Sequence, residues 1–96
     1  MTDVHFFVYG RVQGVGFRRF VLDIANKNGL TGWVRNASDS SVEVYACGQS
    51  KDIATLINSC QKGPIFASVN NILFADNKDI PLPDDKQGYS SFFIWR

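Results

Sequence analysis

The stretch YGRVQGVGFRRF, residues 9–20, combines glycines and arginines near the start of the chain. Its glycines, Gly10, Gly14 and Gly16, allow the backbone to turn so that successive N–H groups point to one side. A predicted helix begins directly afterwards, and it adds unpaired N–H groups and the positive end of its dipole. Arg18 lies in the first turn of that helix, where its planar guanidinium can bind two oxygens of a phosphate. The segment therefore predicts a site for a phosphoryl group.

Three well-known phosphate-binding motifs do not match this segment. A Walker loop ends in Gly-Lys-Ser or Gly-Lys-Thr, and the sequence contains neither. The dinucleotide-binding fingerprint needs a glycine where Arg19 stands. A cysteine-dependent phosphatase would have its nucleophile where Val12 stands. We therefore expect the segment to bind phosphate without supplying a nucleophile, and the sequence has no His, Cys and acidic cluster with metal-ligand spacing.

The elements that must position this segment follow from the hydrophobic pattern. Residues 4–9 alternate between two faces, which is typical of a β-strand. From Phe17 to Asn28 the apolar residues recur with a helical period, and Gly29 stands where a helix would end. The other predicted elements are strands at 31–36 and 42–47, a helix from Ser50 as N-cap to Gly63-Pro64, a strand at 68–75 and a last strand at 90–96.

The order of these elements predicts a ferredoxin-like α+β sandwich, with a mostly antiparallel sheet and two helices on one face. We interpret residues 1–96 as a single domain, since this length suits one hydrophobic core. The first strand, the first helix and the second strand form a βαβ unit, so both strands should end at the same edge of the sheet. The glycine segment and Asn36 are therefore expected at one end of the molecule.

The sequence resembles the acylphosphatase family over most of its length. The strongest similarity lies in GRVQGVGFRRF followed by GLTGWVRN, and SVEVYACG and GPIFASV extend it. The resemblance implies a ferredoxin-like fold and an enzyme that hydrolyses carboxyl-phosphate anhydrides without a metal or other cofactor. It also implies that Arg18 is the essential arginine and that Asn36 holds the attacking water. The implied phosphate-binding loop consists of Gln13, Gly14, Val15, Gly16, Phe17 and Arg18.

One departure from the family pattern lies in the turn ASDSS, which follows Asn36. The family usually has an Asp-Gly pair there, whereas this chain has Ser40 in place of the glycine. A serine at this position can change the backbone of the turn, but it touches no implied catalytic group. The departure therefore leaves the roles expected for Arg18 and Asn36 in place.

Two other functions compete with hydrolysis. The chain could be a module that binds acyl or carbamoyl phosphate without turnover, as domains of this kind occur within hydrogenase-maturation carbamoyltransferases. The alternation of side chains along the strands also places several aromatic residues on the helix-free side of the sheet. Some proteins stack the bases of single-stranded RNA on aromatic residues placed in this way. These residues are Phe7, Tyr9, Tyr45, Phe93 and Trp95. Little Lys or Arg is interleaved with them, which disfavours RNA binding and favours a second core layer that a loop at 76–88 partly covers.

Composition limits the possible partners. The chain has 10 Lys and Arg against 9 Asp and Glu, a net charge of +1, which argues against a general nucleic-acid or membrane-surface binder. No segment is long and apolar enough for a membrane helix or a secretory signal. Two cysteines do not form a disulfide framework, so we expect a cytoplasmic protein. We further expect a monomer whose small-molecule substrate is an acyl phosphate and whose inhibitors include inorganic phosphate or sulfate.

The remaining polar residues of interest are interpreted as structural. His5 lies in the middle of the first strand, and Asp39 is expected to form an Asx turn. Cys47 and Cys60 are expected to be small apolar fillers on opposite faces of the sheet, with no bond between them. Three arginines are expected to be solvent-facing charges rather than ligands: Arg11, Arg19 and Arg35.

Overall fold

In a computed structural model, the chain folds as a layer of strands covered by two helices. The structure describes residues 1–76, 80–81 and 91–95. Its elements are β1 (Thr2–Arg11), α1 (Phe17–Lys27), β2 (Thr31–Asn36), β3 (Val42–Gly48), α2 (Ser50–Lys62), β4 (Ser68–Phe74) and β5 (Phe92–Ile94).

The strands form one sheet in the order β4-β1-β3-β2-β5. β3 lies between β1 and β2 and pairs antiparallel with both, and β4 pairs antiparallel with β1. β5 extends the sheet beside β2 in parallel. β1 and β2 therefore run in the same direction with β3 inserted between them, and the predicted ferredoxin-like α+β fold is confirmed.

The main core lies between the sheet and the two helices. Every second side chain of the strands points to the helices, as the pattern predicted. The apolar stripes of both helices cover these side chains. Each large apolar side chain buried here stabilises the fold by about 1.5–3 kcal/mol. The sheet contributes Phe6, Val8, Val34, Val42, Val44 and Ala46, and the helices contribute Phe17, Val21, Ala25, Ile53, Leu56 and Cys60.

The helix-free face of the sheet is also partly buried. Trp33 is fully buried there, and its ring meets Trp95 edge-on with a centroid distance of 5.0 Å. His5 and Glu43 are buried on the same face and are hydrogen bonded to each other. These side chains pack as a second small core, which agrees with a structural interpretation of His5. The predicted cover for this face, residues 76–88, lies mostly outside the described residues.

Several predicted boundaries were wrong. β1 is longer than 4–9 because it pairs with β3 on one side and β4 on the other, and this pairing continues through Gly10. Gly10 has φ 130, and a Cβ there would lie 2.1 Å from the Ser68 carbonyl oxygen, so the close strand approach requires glycine. Ser50 is the first helical residue rather than the N-cap, a position that Gln49 takes. β5 is shorter than predicted, since it pairs with β2 over Phe92–Ile94.

Candidate active site

The register of the sheet brings the glycine segment and Asn36 to the same end of the molecule. Val42 at the start of β3 pairs with Val8 of β1 on one side and with Asn36 of β2 on the other. β1 continues from there to Arg11 and enters the loop that precedes α1, while β2 ends at Asn36. The expected convergence is therefore confirmed, because β3 aligns the two strands that lead to it.

A cleft of about 250 Å³ lies at this end of the sheet. It brings Arg18 from α1 together with Asn36 from β2. Gln13 and Val15 of the implied loop do not line it, whereas Gly14, Gly16 and Phe17 do. The complete lining is Val12, Gly14, Gly16, Phe17, Arg18, Arg19, Asn36 and Ile94.

Backbone N–H groups are unusually available at this cleft. Gly14 and Gly16 have φ 74 and φ 81, and Gly16 is the N-cap of α1 without a side-chain cap. Within the described part of the chain, no N–H from Gln13 to Arg19 donates to a backbone or side-chain acceptor; the first to do so is that of Phe20, to the Gly16 carbonyl at 3.0 Å. Unpaired donors at a helix N-terminus are suited to binding an anion.

The Arg18 guanidinium has no carboxylate partner among the described residues, and the first turn of α1 has no acidic residue. Its neighbour Arg19 is largely exposed and donates to Asp23 at 3.1 Å, which confirms that the Arg19 side chain faces solvent. Arg18 is half-buried on the wall of the cleft. It can therefore offer its full fork of N–H donors to a bound phosphate.

The carboxamide of Asn36 has a buried oxygen that needs a partner. Its Oδ1 accepts no hydrogen bond from any residue that the structure describes. A buried carbonyl left unpaired costs about 1–3 kcal/mol, so such an atom is well suited to accept from a water or a substrate. Because Asn36 lines the cleft beside the glycine loop, its carboxamide can orient a molecule against an anion bound there.

The side chain of Gln13 is hydrogen bonded to the turn that follows Asn36. Its Nε2 donates to the Ala37 carbonyl at 3.0 Å and to the Ser41 carbonyl at 2.9 Å. Both acceptors belong to the turn between β2 and β3. The side chain of Gln13 therefore binds the protein, and only its backbone N–H remains for an anion.

The turn that Gln13 holds is itself well defined. Asp39 Oδ1 accepts from the Ser41 N–H at 3.1 Å and from the Ser41 hydroxyl, so the predicted Asx turn is confirmed. The hydrogen bonds from Ser41 lower the pKa of Asp39 below its usual value. Ser40 adopts φ 76, so the serine retains the left-handed backbone in which glycine is favoured.

Arg35 was wrongly expected to face solvent. Its Nε donates to Glu43 Oε1 at 2.7 Å, and its guanidinium lies 4.2 Å from the centroid of the Trp95 ring. Arg35 and Glu43 are directly opposite each other on β2 and β3, so a correct strand register would have revealed this cross-strand ion pair. Glu43 also binds His5 Nε2 at 2.7 Å. Arg35 and Trp95 line a second hollow beside the cleft. Arg18 and Asn36 line both the hollow and the cleft.

Among residues 1–76, 80–81 and 91–95, no group of three or more His, Cys, Asp and Glu side chains is placed to hold a metal ion. The same ranges include no helix of the length and hydropathy needed to cross a membrane. The two cysteines, Cys47 and Cys60, are free thiols, as expected.

The fold and the cleft together define a small α+β protein with a glycine-lined cleft at the N-terminus of α1. The family model for acylphosphatase matches residues 4–90. An acylphosphatase of Geobacillus thermodenitrificans is 42% identical over 87 residues, which cover 91% of this chain and 90% of the relative. The chain belongs to the acylphosphatase family.

Solved structures agree with this assignment. The crystal structure of acylphosphatase from Bacillus subtilis superimposes with a TM-score of 0.85 at 33% identity, and the match covers 100% of both chains. Full-length HypF in its phosphate- and nucleotide-bound form gives a TM-score of 0.75 at 30% identity. That match covers 99% of this chain but 12% of HypF, so the similarity is to a small part of a larger protein.

Proposed function

We propose that this chain is an enzyme that hydrolyses acyl phosphates to a carboxylate and inorganic phosphate. Family membership supports the reaction class. The observation that carries the proposal is the run of unpaired N–H groups from Gln13 to Arg19, since Gly14, Gly16 and Phe17 of this run line the same cleft as Arg18 and Asn36. These groups match the needs of phosphoryl transfer, which depends on positioning and on stabilising charge.

The phosphoryl group binds to the glycine loop. Its oxygens accept hydrogen bonds from the backbone N–H groups of the loop and from the guanidinium of Arg18, and the α1 dipole favours the negative charge. This assignment gives roles to Gln13, Gly14, Val15, Gly16 and Phe17 through their N–H groups and to Arg18 through its side chain. The same donors stabilise the charge on the phosphoryl oxygens as the transition state forms.

Asn36 orients the attacking water. A carboxamide is neutral and does not act as a base near pH 7, so its contribution is to hold the water in line with the phosphorus. The water oxygen forms a bond to phosphorus, and the bond from phosphorus to the acyl oxygen breaks with its electron pair going to the carboxylate. One proton of the water passes to a phosphoryl oxygen of the substrate, and the other stays on the attacking oxygen, so the products are the carboxylate and dihydrogen phosphate. A carboxylate is a good leaving group, so the step needs no general acid.

The reaction is proposed to need no metal ion, because the Arg18 guanidinium and the N–H groups supply the positive charge that a metal would otherwise provide. Removing one well-placed donor of this kind typically lowers kcat by about 10²–10³-fold. Benzoyl phosphate hydrolysis by the purified chain in excess EDTA tests the proposal. We expect turnover, with inorganic phosphate and sulfate as competitive inhibitors; no turnover, or turnover that requires added Mg²⁺, would contradict it.

A second candidate is a module that binds acyl or carbamoyl phosphate without hydrolysing it. The similarity to a small part of HypF, a structure described as phosphate- and nucleotide-bound, supports this alternative. Turnover separates the two candidates, since a binding module would saturate with substrate and release no carboxylate. The match covers 90% of the Geobacillus acylphosphatase and 100% of the Bacillus subtilis one, and this favours the enzyme.

We also propose that residues 1–96 act as one monomeric domain in the cytoplasm, which gel filtration and cell fractionation can test.

A further inference from the structure

We propose that Gln13 is a positioning residue, which fixes Asn36 relative to the phosphate-binding loop; this inference rests on the proposed function. The backbone of Gln13 belongs to the loop, whereas its side chain binds the turn that follows Asn36. One residue thus connects the two halves of the cleft. The observation behind the proposal is its pair of hydrogen bonds, 3.0 Å to the Ala37 carbonyl and 2.9 Å to the Ser41 carbonyl.

The two acceptors are placed to control Asn36. Ala37 is the next residue in the chain, so fixing its carbonyl restrains the backbone that carries the Asn36 side chain. Ser41 lies on the other side of the turn and is fully buried, and its carbonyl also accepts from the Ala37 N–H at 2.9 Å. The Gln13 carboxamide therefore connects the phosphate-binding loop to both ends of the turn between β2 and β3.

The hydrogen-bonding capacity of Gln13 argues against a direct role in binding phosphate. Its Nε2 carries two N–H donors, and the two carbonyls use both of them. The remaining polar atom, Oε1, is an acceptor, which would repel the oxygens of a phosphate. The side chain is therefore available to position Asn36 but not to bind the substrate.

Positioning of this kind affects the rate more than the affinity. The N–H groups and Arg18 bind the phosphoryl group whether or not Asn36 is held in place. The water, however, must lie in line with the phosphorus, and a misplacement of about 1 Å can lower the rate by about 10²-fold. We expect loss of the Gln13 hydrogen bonds to lower kcat and to leave phosphate binding unchanged.

Gln13→Met tests the proposal, because methionine has a similar length but no N–H donor. Ala37 and Ser41 each keep one backbone hydrogen bond to their carbonyls, so the turn should still form. We expect kcat for benzoyl phosphate to fall by about tenfold or more, with the phosphate inhibition constant changing by less than about twofold. Gln13→Ala provides the same measurement if the methionine variant does not fold.

A matched control is Tyr9→Phe, which removes a hydrogen bond of 3.3 Å from β1 to Asp39 in the same turn. We expect this variant to keep the wild-type kcat. A double-mutant cycle tests whether Gln13 acts through Asn36: in an Asn36→Ala background, Gln13→Met should lower kcat no further.

The outcomes separate the explanations. An unchanged kcat in Gln13→Met, or an equal loss of rate in the Asn36→Ala background, would overturn the proposal. A parallel rise in the phosphate inhibition constant would overturn it as well, since it would show that the side chain binds phosphate. If the wild-type chain hydrolyses no acyl phosphate, the proposed function fails instead, and this result is distinct because it does not depend on Gln13.

Discussion

The Arg18 guanidinium and the Asn36 carboxamide line one cleft, although one extends from the first turn of α1 and the other from the last residue of β2. The two side chains come together because β3 lies between β1 and β2 and aligns the ends of these strands. The site is therefore built on regular elements and on the loop between β1 and α1. Such a site holds its groups in fixed positions, as a reaction that depends on geometry requires.

Arg18→Ala is expected to lose both phosphate binding and turnover. The substitution removes the half-buried guanidinium of the cleft wall, and the other arginine of the lining, Arg19, is exposed and paired with Asp23. We expect kcat/KM for benzoyl phosphate to fall by about 10³-fold or more, and inhibition by phosphate to weaken strongly. The matched control is Arg11→Ala, since Arg11 is exposed at the end of β1 and outside the lining of the cleft. Equal loss in both variants would point to overall charge instead.

Much of this site could be predicted from the sequence, because its parts depend on local chemistry. Glycines, a helix start and Arg18 are adjacent in the chain, and the topology alone places Asn36 near them. The partners of Gln13 and Arg35 could not be predicted in the same way. Their contacts depend on the register of β2 against β3 and on the path of the turn, which hydrophobic alternation does not specify.

Ser40→Gly is expected to stabilise the fold slightly. Ser40 has φ 76, a conformation that costs about 1 kcal/mol or more for a residue with a Cβ and little for glycine. The greater freedom of glycine in the unfolded chain offsets part of this gain, so we expect up to about 1 kcal/mol from urea unfolding. Ser38→Gly in the same turn is the control; it should destabilise, because Ser38 has no positive φ to relieve.

Glu43→Gln is expected to destabilise the protein. Glu43 is 4% exposed and binds the half-buried Arg35 and the buried His5, each at 2.7 Å, so losing its charge leaves the Arg35 guanidinium without its carboxylate partner. Breaking a buried ion pair in this way typically costs about 3 kcal/mol. Asp23→Asn removes the exposed pair with Arg19 and should cost less than about 1 kcal/mol in the same unfolding measurement. A similar cost for both variants would contradict this ranking.

The two cysteines are expected to differ in reactivity. Burial raises the pKa of Cys60 to about 12, so its thiol stays protonated and unreactive at pH 8, whereas Cys47 is partly exposed. A thiol reagent such as DTNB should modify one thiol in the native protein and two after unfolding. Because the Cys60 pKa is higher in the folded state, stability should fall as pH rises above about 9. Rapid modification of both native thiols would show that Cys60 is accessible.

The measurement that tests the proposed division of roles most directly compares Asn36→Ala with the wild-type chain for both kcat and phosphate inhibition. If the N–H groups and Arg18 bind the phosphoryl group and Asn36 orients the water, kcat should fall by about 10²-fold or more. The phosphate inhibition constant should then stay within about threefold of the wild-type value, since the binding groups are intact. Wild-type kcat in Asn36→Ala, or inhibition weakened in proportion to the rate, would contradict this division.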